Sequence, residues 1–233
     1  MSGTDLPKVL IAAPVRDREY HLPTYLKSLQ ALDYPKEKLG FYFLVNDSTD
    51  GSRKILGDFL NNSGGDYFRI EIEEVTLGTV PDKRKMDTRK EVYHALARLR
   101  NTVLDKFSQT ACDYLFSVDS DIFVNPNCLG RLLSHRKDFV AAMISNLPVG
   151  MVPNAMVRRN GSLLRFKPPE GDPTIHEVTV TGAVCLMSRE VLVGRYAWSK
   201  QGEDLPFCES LIEKGIKIYL DTAQVAVHDM RKH

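Results

Sequence analysis

Two aspartates separated by one residue follow an apolar run near the middle of the chain. Residues 114–118 read YLFSV, and Asp119, Ser120 and Asp121 come directly after them. In an extended strand, Asp119 and Asp121 would share one face, with Cα atoms about 6 to 7 Å apart. Such carboxylates repel each other unless a cation or donors compensate, and hard divalent ions favour oxygen ligands. The pattern predicts a metal site, with a solvated, capping turn as the alternative.

A third carboxylate, Asp47, ends a second apolar run, residues 41–46, within the polar sequence VNDSTDGS. A carboxylate at a strand end can accept a hydrogen bond from the imide N–H of uracil, or from the equivalent edge of guanine. Asp, Asn and Ser are also the usual residues of turns and helix caps. Base recognition and a turn role for Asp47 therefore both stay open.

Glu203 and Asp204 precede Pro206, which is predicted in a first helical turn, and Gly215 follows that helix. Asp204 is predicted as the N-cap. Because a helix N-terminus favours an ionised carboxylate, Asp204 would also be available as a general base for an acceptor hydroxyl. The two roles do not exclude each other.

Three weaker candidates complete the set. His228 follows the apolar VAV and is either a packed or exposed imidazole or a metal ligand. Trp198, the single tryptophan, is either core or a platform for a sugar ring. A basic cluster would contact a diphosphate or form a solvated loop. Its members are Lys83, Arg84, Lys85, Arg89 and Lys90.

Alternating strands and helices are predicted to position these residues. Strands are expected over residues 8–14, 41–46, 70–75 and 114–118, with a helix after each of the first three, which indicates a doubly wound α/β half. Ligands bind beyond the carboxyl ends of such strands. In the third helix, an apolar stripe predicts that Asn101 on the opposite side is exposed. Its members are Val92, Leu96, Leu99 and Val103.

The second half has weaker periodicity. Proline and glycine become frequent over residues 145–173, which predicts loops and short mixed strands around an acceptor site. Strand 178–187, helix 206–214 and strand 216–220 complete the expected fold. We predict a single domain over residues 1–233, with a nucleotide-binding half to about residue 124 and an acceptor-binding half after it.

Composition excludes several classes of protein. The formal net charge of +1, from 31 basic and 30 acidic residues, argues against an extended nucleic-acid surface. The opening MSGTDLPKVL lacks the pattern of a signal peptide, and no apolar run approaches the ~20 residues of a transmembrane span, so we expect a cytoplasmic protein. Four widely spaced cysteines without a C-x-x-C pair predict buried thiols.

Taken in order, these segments resemble the GT-A glycosyltransferases, particularly family 2-like enzymes. The matching segments are Pro14 after the first strand, VNDSTDGS, ARLRN, SVDSD, TGAVCLMSREVL, GEDLPFCESLIEKG and VAVH. The stretch from ARLRN through DYLFSVDSDIFVNP is also similar to the mannan-polymerase subunit family and related viral enzymes. Of the two stereochemical classes of transfer, an inverting mechanism is favoured and a retaining one stays open.

The resemblance implies a single GT-A-type domain of the α/β class, with a Rossmann-like half, a mostly parallel central sheet and a mixed acceptor-side half. By the same analogy Asp204 is the catalytic base. The implied nucleotide-binding residues are Pro14, Arg16, Asp47, Arg84, Arg100 and Asp119. The implied ligands of Mn²⁺ or Mg²⁺ are Asp119, Asp121 and His228. The implied sugar-binding residues are Gly182, Trp198 and Glu203.

The expected function is therefore metal-dependent transfer of a sugar from a nucleotide diphosphate donor to a hydroxyl of a sugar or glycan. A UDP-sugar is expected first and a GDP-sugar second. The alternatives are a module that binds a nucleotide sugar without transferring it and a haloacid-dehalogenase-type phosphatase, whose D-x-D normally lies on the first strand. Because the chain ends five residues after His228, we expect it to lack a C-terminal acceptor-binding segment or to be a fragment.

Overall fold

The computed structural model describes residues 6–78, 89–151, 153–172 and 174–231. The α-helices in these ranges are α1 (Leu22–Gln30), α2 (Ser52–Ser63), α3 (Arg89–Ser108), α4 (Cys128–Ser134) and α5 (Asp204–Glu213). The strands are β1 (Val9–Val15), β2 (Leu39–Asn46), β3 (Arg69–Val75), β4 (Tyr114–Val118), β5 (Ile122–Phe123), β6 (Phe139–Leu147), β7 (Gly150–Met151), β8 (Ala155–Arg159), β9 (Ser162–Arg165), β10 (Ile175–Val178), β11 (Val180–Thr181), β12 (Val184–Ser188) and β13 (Ile218–Asp229).

One large sheet organises the described chain. Its strand order is β10-β13-β6-β12-β4-β1-β2-β3, with β5 paired to β13 and β7 paired to β6. Strands β3, β2, β1 and β4 are parallel, whereas β12 runs antiparallel between β4 and β6. A second, antiparallel sheet has the order β11-β8-β9. The predicted fold class, a mostly parallel sheet followed by a mixed half, is confirmed.

Helices cover both faces of the large sheet, and β1 shows how the sequence divides between them. Ile11 and Ala13 pack in the core that contains Leu26 of α1. Leu10 and the intervening Ala12 pack in the opposite core with Phe107 of α3. Alternate residues of a strand point to opposite faces, so a strand covered on both sides must be apolar throughout. Strands β1, β2 and β4 therefore have no charged face in the sequence, whereas the edge strand β3 contains an arginine and three glutamates.

Helix α1 fixes the end of β4, where the paired aspartates begin. Its apolar residues Leu22 and Tyr25 lie three apart and are buried, as the helical period requires. The hydroxyl of Tyr25 donates to the carbonyl of Val118, 2.9 Å away. The last residue of β4 is thereby held by a buried hydrogen bond immediately before Asp119.

The second half departs from the sequence prediction in two places. The region predicted as one strand over residues 178–187 is divided by a turn in which Ala183 has φ 74°, so it forms parts of β10, β11 and β12. The last strand continues to Asp229 instead of ending at residue 220, with a register irregularity between Asp221 and Val225. Both departures place polar residues at the same edge of the sheet.

The exposure predicted for Asn101 is wrong, because a second segment covers that face of α3. Its side-chain amide donates to the carbonyl of Tyr196 at 2.9 Å and accepts from the same residue's N–H at 2.9 Å. Asn101 is therefore half-buried and holds the segment that leads to α5.

Strands β4 and β12 lie on either side of the predicted division near residue 124 and pair within one sheet. The division into a nucleotide-binding half and an acceptor-binding half stays a prediction. None of the helices in the described ranges combines the length and apolar composition required to cross a bilayer.

Candidate functional site

The ends of β1, β4 and β13, the turn before β12 and the start of α5 surround a cavity of about 380 Å³. Eight of the residues predicted from the sequence line it. They are Pro14, Arg100, Asp119, Asp121, Gly182, Glu203, Asp204 and His228. The structure thus brings together residues that are up to 214 positions apart in the chain.

Arg100 joins the first aspartate to the start of α5. Its Nη2 donates to both carboxylate oxygens of Asp119, at 3.1 and 3.2 Å, and its Nε donates to Oε1 of Glu203 at 3.2 Å. Burial alone would lower the pKa of this guanidinium, but Asp119, Asp204 and Glu203 outweigh it and raise the pKa well above its ordinary value. Arg100 is therefore a fixed cation, only 8% exposed, at one wall of the cavity.

The pairing of β5 with β13 brings the second aspartate beside His228. Ile122 is the register partner of His228, and the N–H of Asp229 donates to the carbonyl of Asp121 at 3.0 Å. Nε2 of His228 lies 3.6 Å from Oδ2 of Asp121. Oδ1 of Asn146 accepts from Nδ1 of the same ring at 2.7 Å, so Nε2 is the nitrogen that faces the carboxylate.

Arg18, which follows β1, supplies a second cation. Its N–H donates to Oγ of Ser52 at the start of α2, and its Nη2 donates to Oδ2 of Asp121 at 2.9 Å. Burial alone would raise the pKa of Asp121, but His228, Arg18 and His21 outweigh it and lower the pKa to about 2. Asp121 is therefore ionised at neutral pH.

Asp204 is the first residue of α5, and Glu203 occupies the cap position instead. The side chain of Asp204 fits closely over Gly182, where a Cβ would lie 2.4 Å from Oδ2. Asn154 holds this glycine in place, because its Nδ2 donates to the carbonyl of Gly182 at 2.7 Å while its Oδ1 accepts from the N–H of Ile144 at 3.2 Å. Glycine lets the backbone and the carboxylate approach this closely, because any Cβ at residue 182 would force the Asp204 side chain to move.

The donor atoms around the cavity fit a hard divalent cation. Of the residues that the structure describes, two arginines and four carboxylates line it, which leaves two excess formal negative charges before His228 is counted. The carboxylates are those of Asp119, Asp121, Glu203 and Asp204. Carboxylate oxygens are the ligands that Mg²⁺ and Mn²⁺ prefer. Across the described ranges, however, no three His, Cys, Asp or Glu residues converge in metal-binding geometry. The excess negative charge and the carboxylate oxygens suit a cation. In this structure Arg18 pairs with Asp121 and Arg100 pairs with Asp119.

Two predicted nucleotide-binding residues lie beyond this cavity. Asp47 follows β2 with φ 46°, and its Oδ2 accepts from the N–H of Leu77 at 3.0 Å. Arg16 lies with its Nε 3.8 Å from Oδ2 of Asp17. Asp47 thus links the ends of two neighbouring strands, and its contact with a base stays a prediction.

Of the remaining two candidates, Trp198 is not in the lining. The ring of Trp198 stacks on His94 of α3 with centroids 5.8 Å apart, and Nζ of Lys90 lies 5.4 Å from its centre. Arg84 lies outside the described residues. Sugar stacking by Trp198 and phosphate contact by Arg84 stay predictions.

Sequence reasoning missed Arg18 and Asn154. The sequence PVRDRE after β1 offers two arginines, and no local pattern distinguishes Arg18, which reaches Asp121, from Arg16, which does not. Asn154 lies in the proline- and glycine-rich stretch, where periodicity gives no signal. Its role depends on contacts 10 to 28 residues away.

The strand order of the large sheet defines a GT-A fold, and solved structures of glycosyltransferases share it. The structure of S. aureus TarS 1–349 in complex with UDP-GlcNAc matches with a TM-score of 0.66 and 18% identity, over 97% of this chain and 59% of that one. PcManGT, a mannosyltransferase from Pyrobaculum calidifontis in complex with GDP-Man and Mn²⁺, matches with a TM-score of 0.65 and 14% identity, over 99% and 59%. GalNAc-T7 with UDP, GalNAc and Mn²⁺ matches with a TM-score of 0.67 and 12% identity, over 98% and 45%.

More particularly, the chain belongs to glycosyltransferase family 25. The family model described as "Glycosyltransferase family 25, N-terminal domain" matches residues 6–172. The resemblance to GT-A glycosyltransferases is confirmed and assigned to this family, which leaves no support for the phosphatase alternative.

Curated relatives of the same family are longer proteins. Procollagen galactosyltransferase 1-A of Xenopus laevis is 28% identical over 170 residues, which are 69% of this chain and 28% of the relative. Inactive glycosyltransferase 25 family member 3 of Mus musculus is 29% identical over 171 residues, 70% of this chain and 29% of the relative. The chain therefore spans less than a third of the length of these relatives.

Proposed function

We propose that this protein transfers a sugar from a nucleotide diphosphate donor to a hydroxyl acceptor, and that it requires a divalent metal ion. One observation carries the proposal. Among the described residues, the cavity has two more carboxylates than arginines, and two of its carboxylates, on Glu203 and Asp204, are not part of the D-x-D segment. A cavity with this charge would repel a diphosphate unless a divalent cation entered with it.

Asp119, Asp121 and His228 are the residues proposed to hold Mn²⁺ or Mg²⁺. When bound, such an ion neutralises the negative charge of the departing nucleoside diphosphate. Arg18 and Arg100 stand on either side of the aspartates and carry permanent charge, so they are placed to contact phosphate oxygens. Asn146 orients the His228 ring, as partners of metal-binding imidazoles do in general.

Asp204 is proposed as the base of an inverting transfer. Its side chain is one-third exposed and lies at the first turn of α5, where the helix dipole favours the ionised form. In this step, the acceptor oxygen forms a bond to the anomeric carbon. The bond from that carbon to the diphosphate oxygen breaks, and the acceptor proton passes to Asp204. The leaving group is the nucleoside diphosphate.

A UDP-sugar is the first donor proposed and a GDP-sugar the second. The structural neighbours named above contain UDP-GlcNAc, UDP with GalNAc, and GDP-Man, so both bases occur on this fold. The family relative named as a procollagen galactosyltransferase makes a galactosyl donor one of the first to test. Asp47 is the residue proposed to contact the base. Its carboxylate already accepts a hydrogen bond from the N–H of Leu77.

A module that binds donor without transferring it is the second candidate. A family relative carries the name inactive glycosyltransferase 25 family member 3. In addition, Nε of Arg100 lies 3.9 Å from Oδ1 of Asp204, so this cation lies near the proposed base. Activity, rather than donor binding, separates the two candidates.

The direct test is thermal stabilisation by UDP and GDP with and without Mn²⁺, because a ligand that binds the folded state raises stability by an amount that grows with the logarithm of its affinity. We expect UDP to raise Tm only when Mn²⁺ is present, and Asp121→Ala to lose this response. An Asp58→Asn variant, on the surface of α2, is the control. If Asp121→Ala responded as wild type does, the metal assignment would be overturned.

A further inference from the structure

A second cavity, of about 240 Å³, adjoins the one that contains the paired aspartates. The two share four lining residues, Asn154, Gly182, Gln201 and Asp204. Asp204 therefore borders both spaces. A group bound in the second cavity approaches the carboxylate from the side away from Asp121, which lines only the first.

The small sheet β11-β8-β9 forms the far wall of this second cavity. Val180 is the register partner of Met156 on one side, and Arg165 is its partner on the other. Register partners in antiparallel strands point to the same face, so these three side chains form one row across the sheet. All three line the cavity, together with Leu163 and Leu205. This row of the wall is apolar except at its end, where Arg165 lies.

Arg165 is the basic residue of this lining, and its charge is not matched locally. It forms no ion pair with any other residue of the described ranges. Arg158 on the same sheet pairs with Glu209, which removes that carboxylate as a partner. A guanidinium at the end of an apolar wall is suited to a carboxylate or phosphate, which it binds through paired hydrogen bonds.

We propose that this second cavity is the acceptor subsite and that the acceptor carries an anionic group, a carboxylate or a phosphate, bound by Arg165. The inference rests on the proposed function, since it takes Asp204 as the base. The acceptor's apolar ring face lies on Met156 and Val180, its reacting hydroxyl faces Asp204, and its anionic group faces Arg165. Acceptor specificity then depends on the small sheet and not on the D-x-D segment.

The test compares three methyl glycosides that differ only at C6. They are methyl β-D-glucopyranoside, its uronic acid and its 6-phosphate. Binding is measured by titration with ligand-observed NMR, in the presence of UDP and Mn²⁺ and in their absence. We expect the uronic acid or the phosphate to bind about three- to tenfold more tightly than the neutral glycoside, as befits a partly exposed charge-assisted contact. Whichever anion shows the advantage identifies the group.

Three variants assign that advantage to the cavity. Arg165→Gln should abolish it, and Arg165→Lys should retain part of it. Arg159→Gln removes an exposed arginine of the same hairpin that is not in the lining, so it should leave the advantage unchanged. Equal binding of all three glycosides, or an anionic advantage that survives Arg165→Gln, would overturn the proposal.

The same preparations separate this proposal from the proposed function. If UDP with Mn²⁺ stabilises the protein but no anionic advantage is found, only the acceptor proposal fails. If the advantage depends on Arg165 but UDP with Mn²⁺ gives no stabilisation, the cavity binds anionic sugars without being an acceptor subsite. That result would overturn both proposals as stated here.

Discussion

Nη2 of Arg18 donates to Oδ2 of Asp121 over 2.9 Å, so a guanidinium holds the carboxylate proposed as a metal ligand. A metal ion at Asp121 must compete with this ion pair. Both side chains are partly exposed, at 34% and 18%, so solvent screens the pair and its contribution is modest. The contact therefore predicts that Arg18 lowers the affinity of the protein for divalent cations when no nucleotide is bound.

Arg18→Gln should tighten Mn²⁺ binding by about two- to fivefold, because it removes the competing cation. The measurement is titration of free Mn²⁺ by electron paramagnetic resonance, without nucleotide. Arg16→Gln is the matched control, since Arg16 pairs with Asp17 and does not line the cavity. Unchanged or weaker Mn²⁺ binding in Arg18→Gln would show that the two cations do not compete.

Gly182→Ala tests the close contact over Asp204. The added Cβ would lie 2.4 Å from Oδ2, and the carboxylate must rotate away from its position. Because the end of a side chain moves easily, Tm should change little, while turnover should fall by up to about 10²-fold, as displacement of a reacting group by 1 Å does. Gly130→Ala in α4, where a Cβ would meet nothing within 4 Å, should leave turnover unchanged and raise Tm slightly, because alanine favours a helix more than glycine does. Normal turnover in Gly182→Ala would show that the position of Asp204 is not critical.

Asp221 is predicted to stabilise the fold in a way that acid removes. It is fully buried and accepts from Arg131 at 2.6 and 3.2 Å, and its Oδ2 lies 2.7 Å from Nε2 of His135. Burial alone would raise its pKa, but the bonds with Arg131, His135 and the N–H of Ala223 outweigh it and lower the pKa. A folded-state pKa below the unfolded value of about 4 stabilises the protein at pH values above 4. This stabilisation is lost as the pH falls from about 4 through the folded-state pKa.

Asp221→Ala should therefore cost roughly 2 to 4 kcal/mol in the free energy of unfolding at pH 7, slightly less than a fully buried pair because Arg131 is partly exposed. The difference from wild type should shrink as pH falls below about 4. Urea unfolding at several pH values measures both effects, with Asp58→Asn as the surface control. A difference that stayed constant down to pH 3 would contradict the ionised state of Asp221.

The sequence predicted β1, β2 and β4 because these strands are almost completely buried. Residues 114–118 are apolar apart from Ser117, and β4 has those bounds. Asp119 and Asp121 were predicted as a site because two carboxylates after a buried strand repel each other unless a cation or hydrogen-bond donors offset their charge.

Contacts between distant segments were not predictable in this way. His228 reaches Asp121 only because β13 pairs with β5 over a separation of more than 100 residues, and its strand was expected to end at residue 220. Asn101 was expected to be exposed because the helical pattern marks one buried face. The segment around Tyr196 covers a second face of α3, and periodicity within a helix does not show what packs on it from elsewhere.

Asp204→Asn tests most directly whether this cavity performs glycosyl transfer. The change removes the basic carboxylate while keeping the size of the side chain beside Gly182 and favourable chemistry at a helix start. Donor affinity, Tm and turnover should be measured on one preparation, with a panel of UDP- and GDP-sugars and the anionic glycosides as acceptors. We expect turnover to fall by roughly 10² to 10⁴-fold with donor affinity and Tm unchanged. Near-normal turnover in Asp204→Asn would contradict the role of Asp204 as the base.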